Sequence, residues 1–295
     1  MSTLADELAL RPPDDGDLHA LARRSWHPVA SAAEVGDEPV RATLLGEPLV
    51  VVRSPAGISV FADLCVHRGA AIGLGFRDGD CIRCPFHGWG YDPATGACVD
   101  IPSQRSRPIP ERARLLRHRS VEHLGLVWVA LDEPVVELPQ FPMFHDARFR
   151  TVVCPPYDWA CHASRRVENF LDFAHFAWVH PGTLGDRTFP EVPEHEVWLE
   201  GDVLAVRQPR PEPRNDVKTA GLDASSEHTA DGRVITMMHY RGFAPYAAYL
   251  HQVLPGDREY AVMLIASPID AHTTRTFWHV ARTYDLDEPD ERFVQ

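Results

Sequence analysis

Two short segments constrain this chain more than any stretch of its hydrophobic pattern: Leu64-Cys65-Val66-His67-Arg68-Gly69-Ala70 and Cys84-Pro85-Phe86-His87-Gly88-Trp89. Each carries one Cys and one His, and residues 68–83 separate the two pairs. Thiolate and imidazole are soft to borderline ligands, so a Cys2His2 set suits either zinc or an iron–sulfur centre. Isolated Cys and His on strands usually pack as core residues, but four of them in two loops of matching form argue for a bound group. Zinc fingers pair Cys with Cys and His with His, the latter on a helix; here each loop mixes the two and neither reads as helical. Cys81-x-x-Cys84 could begin a zinc knuckle, yet no second Cys-x-x-Cys completes it. A [2Fe-2S] cluster with two Cys on one iron and two His on the other fits the mixture, and imidazole in place of thiolate raises its potential. Cys81 and Cys98 stand outside the pattern and read as small buried apolar residues.

The rest of the chain reads as an α+β protein of two domains, the natural division for 295 residues. Residues 1–26, with helical pieces at 4–10 and 17–24, read as a segment packing on the second domain. Short β runs at Val40–Leu45, Leu49–Val52, Ile58–Phe61, Cys81–Cys84, Ala97–Val99 and Leu124–Leu131 are bounded by Gly, Pro or Asp turns and predict a small all-β domain over 27–135. Residues 101–117 read as a surface connection and 133–142 as a linker. In 136–295 the pattern predicts a strand at Arg150–Cys154, a helix over Ala163–Val179, and strands at 195–207, 233–241, 246–254, 259–267 and 274–284, with a long loop at 209–231. The 44% apolar and 24% charged content is ordinary for a globular protein, and a net charge of −13 argues against nucleic acid as a partner. Six cysteines are too few for a disulfide scaffold, no apolar run approaches a membrane span, and Met1–Leu10 does not look like a signal peptide. Together these predict a cytoplasmic protein.

A second constellation lies in Glu168-Asn169-Phe170-Leu171-Asp172-Phe173-Ala174-His175-Phe176-Ala177-Trp178-Val179-His180-Pro181. Its aromatic residues leave little of a helix facing water, and a carboxylate among them would cost roughly 2–7 kcal/mol or more unless paired. Asp172 and His175, three apart, share a helix face. Two His and a carboxylate around open positions are the donor set of oxygen-activating non-haem iron(II). On an ideal helix His180 sits about 140° from His175, so the spacing predicts a π-bulge or broken turn between them.

In this order the two constellations resemble the catalytic subunits of Rieske non-haem iron oxygenases, and the resemblance covers nearly the whole chain. It implies an N-terminal Rieske [2Fe-2S] domain and a C-terminal helix-grip-like catalytic domain. Cys65 and Cys84 would hold the inner iron, and His67 and His87 the outer, solvent-facing one. His175 and His180 would ligate a mononuclear Fe(II), with Asp172 bridging His175 to His87 of the partner subunit and Asn169 lining the iron pocket. The resemblance further implies a homotrimer, O2 as co-substrate, and electrons from NAD(P)H through a reductase or ferredoxin. The product would be a hydroxylated or oxidatively demethylated small organic molecule, aromatic or cyclic. The compact length is similar to the vanillate and dicamba O-demethylase type. Its third iron ligand, a carboxylate on a later helix, is expected beyond Gln295, with Asp290 and Glu291 as the carboxylates available before it. The alternative is a Rieske electron-transfer protein without a working mononuclear site. Met237, Tyr240, Tyr246, Tyr249 and His251 are the strand residues expected to line a substrate pocket.

Overall fold

In a computed structural model of the chain, residues 15–182, 184–212, 229 and 232–290 are described. Helix α1 (Asp15–Arg23) leads into β1 (His27–Ser31). Then come a three-stranded sheet of β2 (Val40–Leu44), β3 (Glu47–Ser54) and β4 (Gly57–Ala62), and a four-stranded one of β5 (Phe76–Asp78), β6 (Cys81–Arg83), β7 (Gly90–Tyr91) and β8 (Cys98–Asp100). Finally β9 (Arg119–His123) and β10 (Leu126–Ala130) form a hairpin that pairs with β1. Leu45-Gly46 and Leu124-Gly125 turn two of these hairpins, both residues of each pair at positive φ, as tight two-residue turns require. β1 and β9 were not legible as strands: β1 is Pro-bearing, and β9 is an edge of charged residues without apolar alternation.

The second half is built on one antiparallel sheet in the order β11-β18-β17-β16-β15-β14-β13, from β11 (Arg150–Val153), β13 (Glu196–Glu200), β14 (Val203–Pro211), β15 (Ile235–Phe243), β16 (Ala247–Leu254), β17 (Arg258–Pro268) and β18 (Thr274–Arg282). Short β12 (Tyr157–Trp159) also pairs with β18. The expected strand at 195–207 is a hairpin, because Gly201 at φ +61 turns the chain between β13 and β14. The expected loop at 209–231 is strand as far as Pro211, with much of the remainder outside the described residues. The expected helix at 4–10 also lies outside them.

Strand parity divides the sheet's two faces. Met263 and Ile265 of β17, with Ala247 and Phe277, pack against Leu126 and Trp128 of the first domain and against Phe141 of the connecting segment. The neighbouring Ala266 faces the other way, onto α2 (Ala163–Leu171), where Ala163 and Tyr246 meet Ala22 of α1. The linker is therefore anchored: Phe141 is fully buried, an apolar burial worth roughly 1.5–3 kcal/mol. Backbone bonds from Leu45 N–H to Pro268 O (2.8 Å) and Gly46 N–H to Ile269 O (2.7 Å) tie the halves further. Among the described residues no helix is long and apolar enough to cross a membrane.

Candidate functional site

The two Cys/His loops close by the same pair of backbone bonds. Cys65 N–H donates to Ala70 O (2.8 Å) and Gly69 N–H to Cys65 O (2.9 Å); Cys84 N–H donates to Trp89 O (2.9 Å) and Gly88 N–H to Cys84 O (3.0 Å). Gly69 and Gly88 occupy the equivalent left-handed position, at φ +75 and +70, where a Cβ is strained. Sequence spacing thus becomes two copies of one tight loop facing each other. Both cysteines are buried in one core cluster, and the His67 and His87 rings lie 4.7 Å apart. The four residues meet as a sulfur pair and an imidazole pair, the division a two-iron cluster needs.

Hydrogen-bonding groups surround the two sulfurs. The backbone N–H groups of Phe86 and His87 point at the Cys84 thiol; burial raises its pKa and those donors work against the rise. Tyr91 Oη lies 3.1 Å from Cys65 Sγ, and burial keeps that phenol protonated and able to donate. His67 stacks on Trp89 with ring centroids 4.6 Å apart, and its Nδ1 is buried with no hydrogen-bond partner. Partial burial, then His87 and Arg68, lower the His67 pKa. A buried orphan nitrogen facing a dithiol is what a cluster would satisfy. Arg83 pins the second loop by donating to Gly88 O (3.0 Å) while paired with Asp78 and Asp100. Sequence spacing pointed to neither Tyr91 nor Arg83. Of the two spare cysteines, Cys98 is buried beside the pair and Cys81 only half-buried.

The second constellation departs from the expected continuous helix. α2 ends at Leu171, residues 172–175 leave the helix, and α3 (Phe176–Val179) is a single turn. The break therefore comes a turn earlier than the spacing suggested, and no π-bulge separates the two His. They approach, ring centroids 5.3 Å apart, because His180 itself steps out of the helix at φ −122, ψ 50. Asp172 organises the break: Oδ1 accepts from Ala174 N–H (2.9 Å) and Oδ2 lies 3.0 Å from His175 Nδ1. That contact fixes the ring and directs its other nitrogen away, the usual outer-shell arrangement for a metal-binding His. Burial, then His175, lowers the His180 pKa and favours the neutral imidazole. Asp172 is not enclosed by aromatics as expected; its side chain is 48% exposed, and Trp178 and Val179 are exposed beside it.

Gly185 holds the His180 turn. Its N–H donates to His180 O (3.1 Å), and a Cβ there would fall 2.3 Å from the Ala177 nitrogen. Asn169 Oδ1 accepts from Arg166 (3.0 Å), a buried guanidinium that also donates to Tyr157 Oη. Asp290 is engaged by Arg150 (2.9 Å) and Arg282 (3.4 Å) rather than offered to the His pair, and Glu291 lies outside the described residues. Among the described residues, no three His, Cys, Asp or Glu side chains converge on one metal position. Of the strand residues expected at a pocket, Tyr240 packs on Phe170 and Phe173. Met237, Tyr249 and His251 point to the opposite face by parity, and Tyr246 sits under α1. A cavity of about 250 Å³ opens between Arg41 and Arg275, both already ion-paired, away from either constellation.

The comparisons agree with this layout. Residues 25–124 match the Rieske [2Fe-2S] domain and residues 159–295 the vanillate O-demethylase oxygenase C-terminal domain. The chain is 33% identical over 280 residues to methylxanthine N1-demethylase NdmA of Pseudomonas putida, covering 92% of this chain and 76% of that protein. The structure of Pseudomonas putida CBB5 NdmA with caffeine superposes with a TM-score of 0.79 at 31% identity, over 93% of this chain and 78% of that one. Dicamba monooxygenase bound to dicamba shares the fold, with a TM-score of 0.78 at 21% identity over 92% and 81% of the two chains.

Proposed function

The chain belongs to the Rieske oxygenases, as a catalytic component of the demethylase type, and from that premise we propose how its residues divide the work. It is an oxidoreductase, a terminal oxygenase acting on a cyclic organic substrate with electrons from a donor protein. When bound, a [2Fe-2S] cluster would supply single electrons and a mononuclear non-haem iron would activate O2. Cys65, Cys84, His67 and His87 would hold the first, and His175 and His180 would supply two ligands to the second. The paired arrangement of the two loops carries the first assignment.

The chain's own groups then have definite tasks. Phe86 and His87 N–H and the Tyr91 hydroxyl stabilise negative charge on the sulfurs. Asp172 holds the His175 proton at Nδ1 and keeps Nε2 presented. Its half-exposed carboxylate can receive His87 of the partner subunit. The exposed Leu64, Val66 and Phe86 around the loops, and Trp178 and Val179 beside Asp172, are apolar surface suited to burial in a homotrimer. A net charge of −13 favours encounter with a basic face of a reductase or ferredoxin; NAD(P)H-derived electrons enter by that partnership, and O2 is the co-substrate.

The test is the absorption spectrum and metal content of the purified full-length protein. A red-brown Rieske spectrum with about three irons per chain is expected. A colourless zinc protein contradicts the cluster assignment, and a red-brown protein holding about two irons supports a pure electron carrier instead.

A further inference from the structure

Phe176 meets both imidazoles of the second constellation: its ring centroid lies 4.8 Å from that of His175 and 6.5 Å from that of His180. The segment around it has little regular structure of its own. α3 is a single turn, His175 stands just outside it, and Trp178 and Val179 are exposed. Support comes from elsewhere in the chain. Gly185 lies against the Phe176 backbone, where a Cβ would fall 2.3 Å from the carbonyl carbon. Over the ring, at 4.8 Å, stacks the guanidinium of Arg210 from β14. Arg210 has no part in the cluster or iron assignments.

Arg210 is 5% exposed, and a guanidinium so buried needs a counter-charge. Glu212, 1% exposed, lies 3.9 Å from it. Glu212 Oε1 accepts from the Thr236 hydroxyl of β15 (2.8 Å) and the Gln252 amide of β16 (2.6 Å), so two strands of the sheet fix the carboxylate. Buried ion pairs seldom add net stability, and apolar residues of like volume often serve as well. An apolar residue cannot, however, attract the face of an aromatic ring as a cation does, and that attraction is strongest where water is excluded. The pair therefore carries the position of the sheet to the Phe176 ring, and the ring carries it to the two imidazoles, whose centroids stand 5.3 Å apart. We infer that Arg210, braced by Glu212, is a positioning residue for the His pair and acts through Phe176. This rests on the oxygenase reading above, in which His175 and His180 are ligands of the mononuclear iron.

Metal affinity at the His pair tests it without turnover. The full-length protein, freed of mononuclear iron by mild chelation, is dialysed against Co(II), and bound Co(II) is followed by its EPR signal. Phe176→Leu keeps apolar bulk but removes the ring, and should weaken Co(II) binding about tenfold, or about 1.4 kcal/mol. The double variant Arg210→Met, Glu212→Gln removes both charges together, so that neither is stranded. It should weaken binding by a similar factor and alter the EPR signal of bound Co(II), with cluster absorption unchanged. Combined with Phe176→Leu it should cost nothing further, because the pair acts only through the ring. Should the double variant lose cluster absorption too, Arg210→Lys, which keeps the charge but not the planar stack, carries the test with a loss in the same direction. An Arg210 that merely stabilises the fold would lower the thermal midpoint and leave Co(II) affinity at the wild-type value. That result, or losses that add in the combined variant, would overturn the inference. A wild type that takes up no Co(II) breaks the oxygenase reading instead, since its His pair then holds no metal.

Discussion

The Cys65–Trp89 loops and the Asp172–Gly185 segment each bring two imidazoles within about 5 Å, but they do so by opposite means. In the first, buried cysteines, mirrored backbone bonds and two left-handed glycines hold a site that one chain builds alone, from residues close in sequence. In the second, a helix is broken twice within nine residues, 172–180, the organising carboxylate stands half in water, and a loop approaches from Gly182–Gly185. A site that stores an electron can be sealed. One that receives an electron and a substrate must leave edges for other molecules, and it borrows part of its order from them.

Paired glycine substitutions separate the two regions. Gly185→Ala should have the larger effect, because its Cβ would meet the Phe176–Ala177 backbone at 2.3 Å and backbone cannot swing aside. We expect loss of the mononuclear iron, from about three irons per chain to two, with the cluster spectrum intact. Gly88→Val should do the reverse at lower cost. Its side chain must adopt φ +70 and press on Pro102 at 3.3 Å, a strain of about 1–2 kcal/mol or somewhat more for a branched residue. Cluster absorption should fall about tenfold in metal-limited refolding while metal at the His pair persists. Loss of both signals in either variant would show that the two sites are not independently built.

A smaller and shared effect is expected from His27, where α1 joins β1. The ring is fully buried, its Nε2 2.8 Å from Ala22 O, and burial lowers its pKa to about 4. The folded protein therefore resists protonation that the unfolded chain accepts near pH 6.5. Its stabilising contribution is complete above that pH, and falls as pH drops from about 6.5 to about 4, by on the order of 3 kcal/mol. Urea denaturation across that window should show the decline, and His27→Phe should flatten it. Because both sites rest on this joint, the decline should weaken them together.

What the sequence disclosed follows the same contrast. The matched loops around Cys65, His67, Cys84 and His87 were legible because tight loops write themselves as Cys-x-His and Cys-Pro-x-His-Gly within a few residues. The α+β division and the central strands were legible from alternation; Asp172 and His175 were expected on a shared helix face, but they meet across a break in the helix instead, 3.0 Å apart. The break at 172–175 was not legible, since the apolar run Phe170–Val179 reads as one continuous helix; only the Asx contact from Asp172 to Ala174 N–H ends it. Gln208 and Arg210 fell in a stretch whose prolines, Pro209 and Pro211, masked a strand; those prolines point outward while the polar residues point in. Tyr91 acts through a contact with Cys65, 26 residues away, which no short window of sequence displays.

The central claim is that Asp172 couples the two sites. Its most direct test is single turnover with the cluster reduced in advance, comparing the wild type with Asp172→Asn. The substitution keeps the side chain's size, removes its negative charge and leaves one acceptor where Asp172 has two, one for Ala174 N–H and one facing His175 Nδ1. The account predicts an unchanged cluster spectrum, a cluster that stays reduced after O2 is added, and product lowered by a hundredfold or more, roughly the 2.7 kcal/mol that two decades of rate represent. Cluster oxidation and product yield equal to the wild type would contradict it.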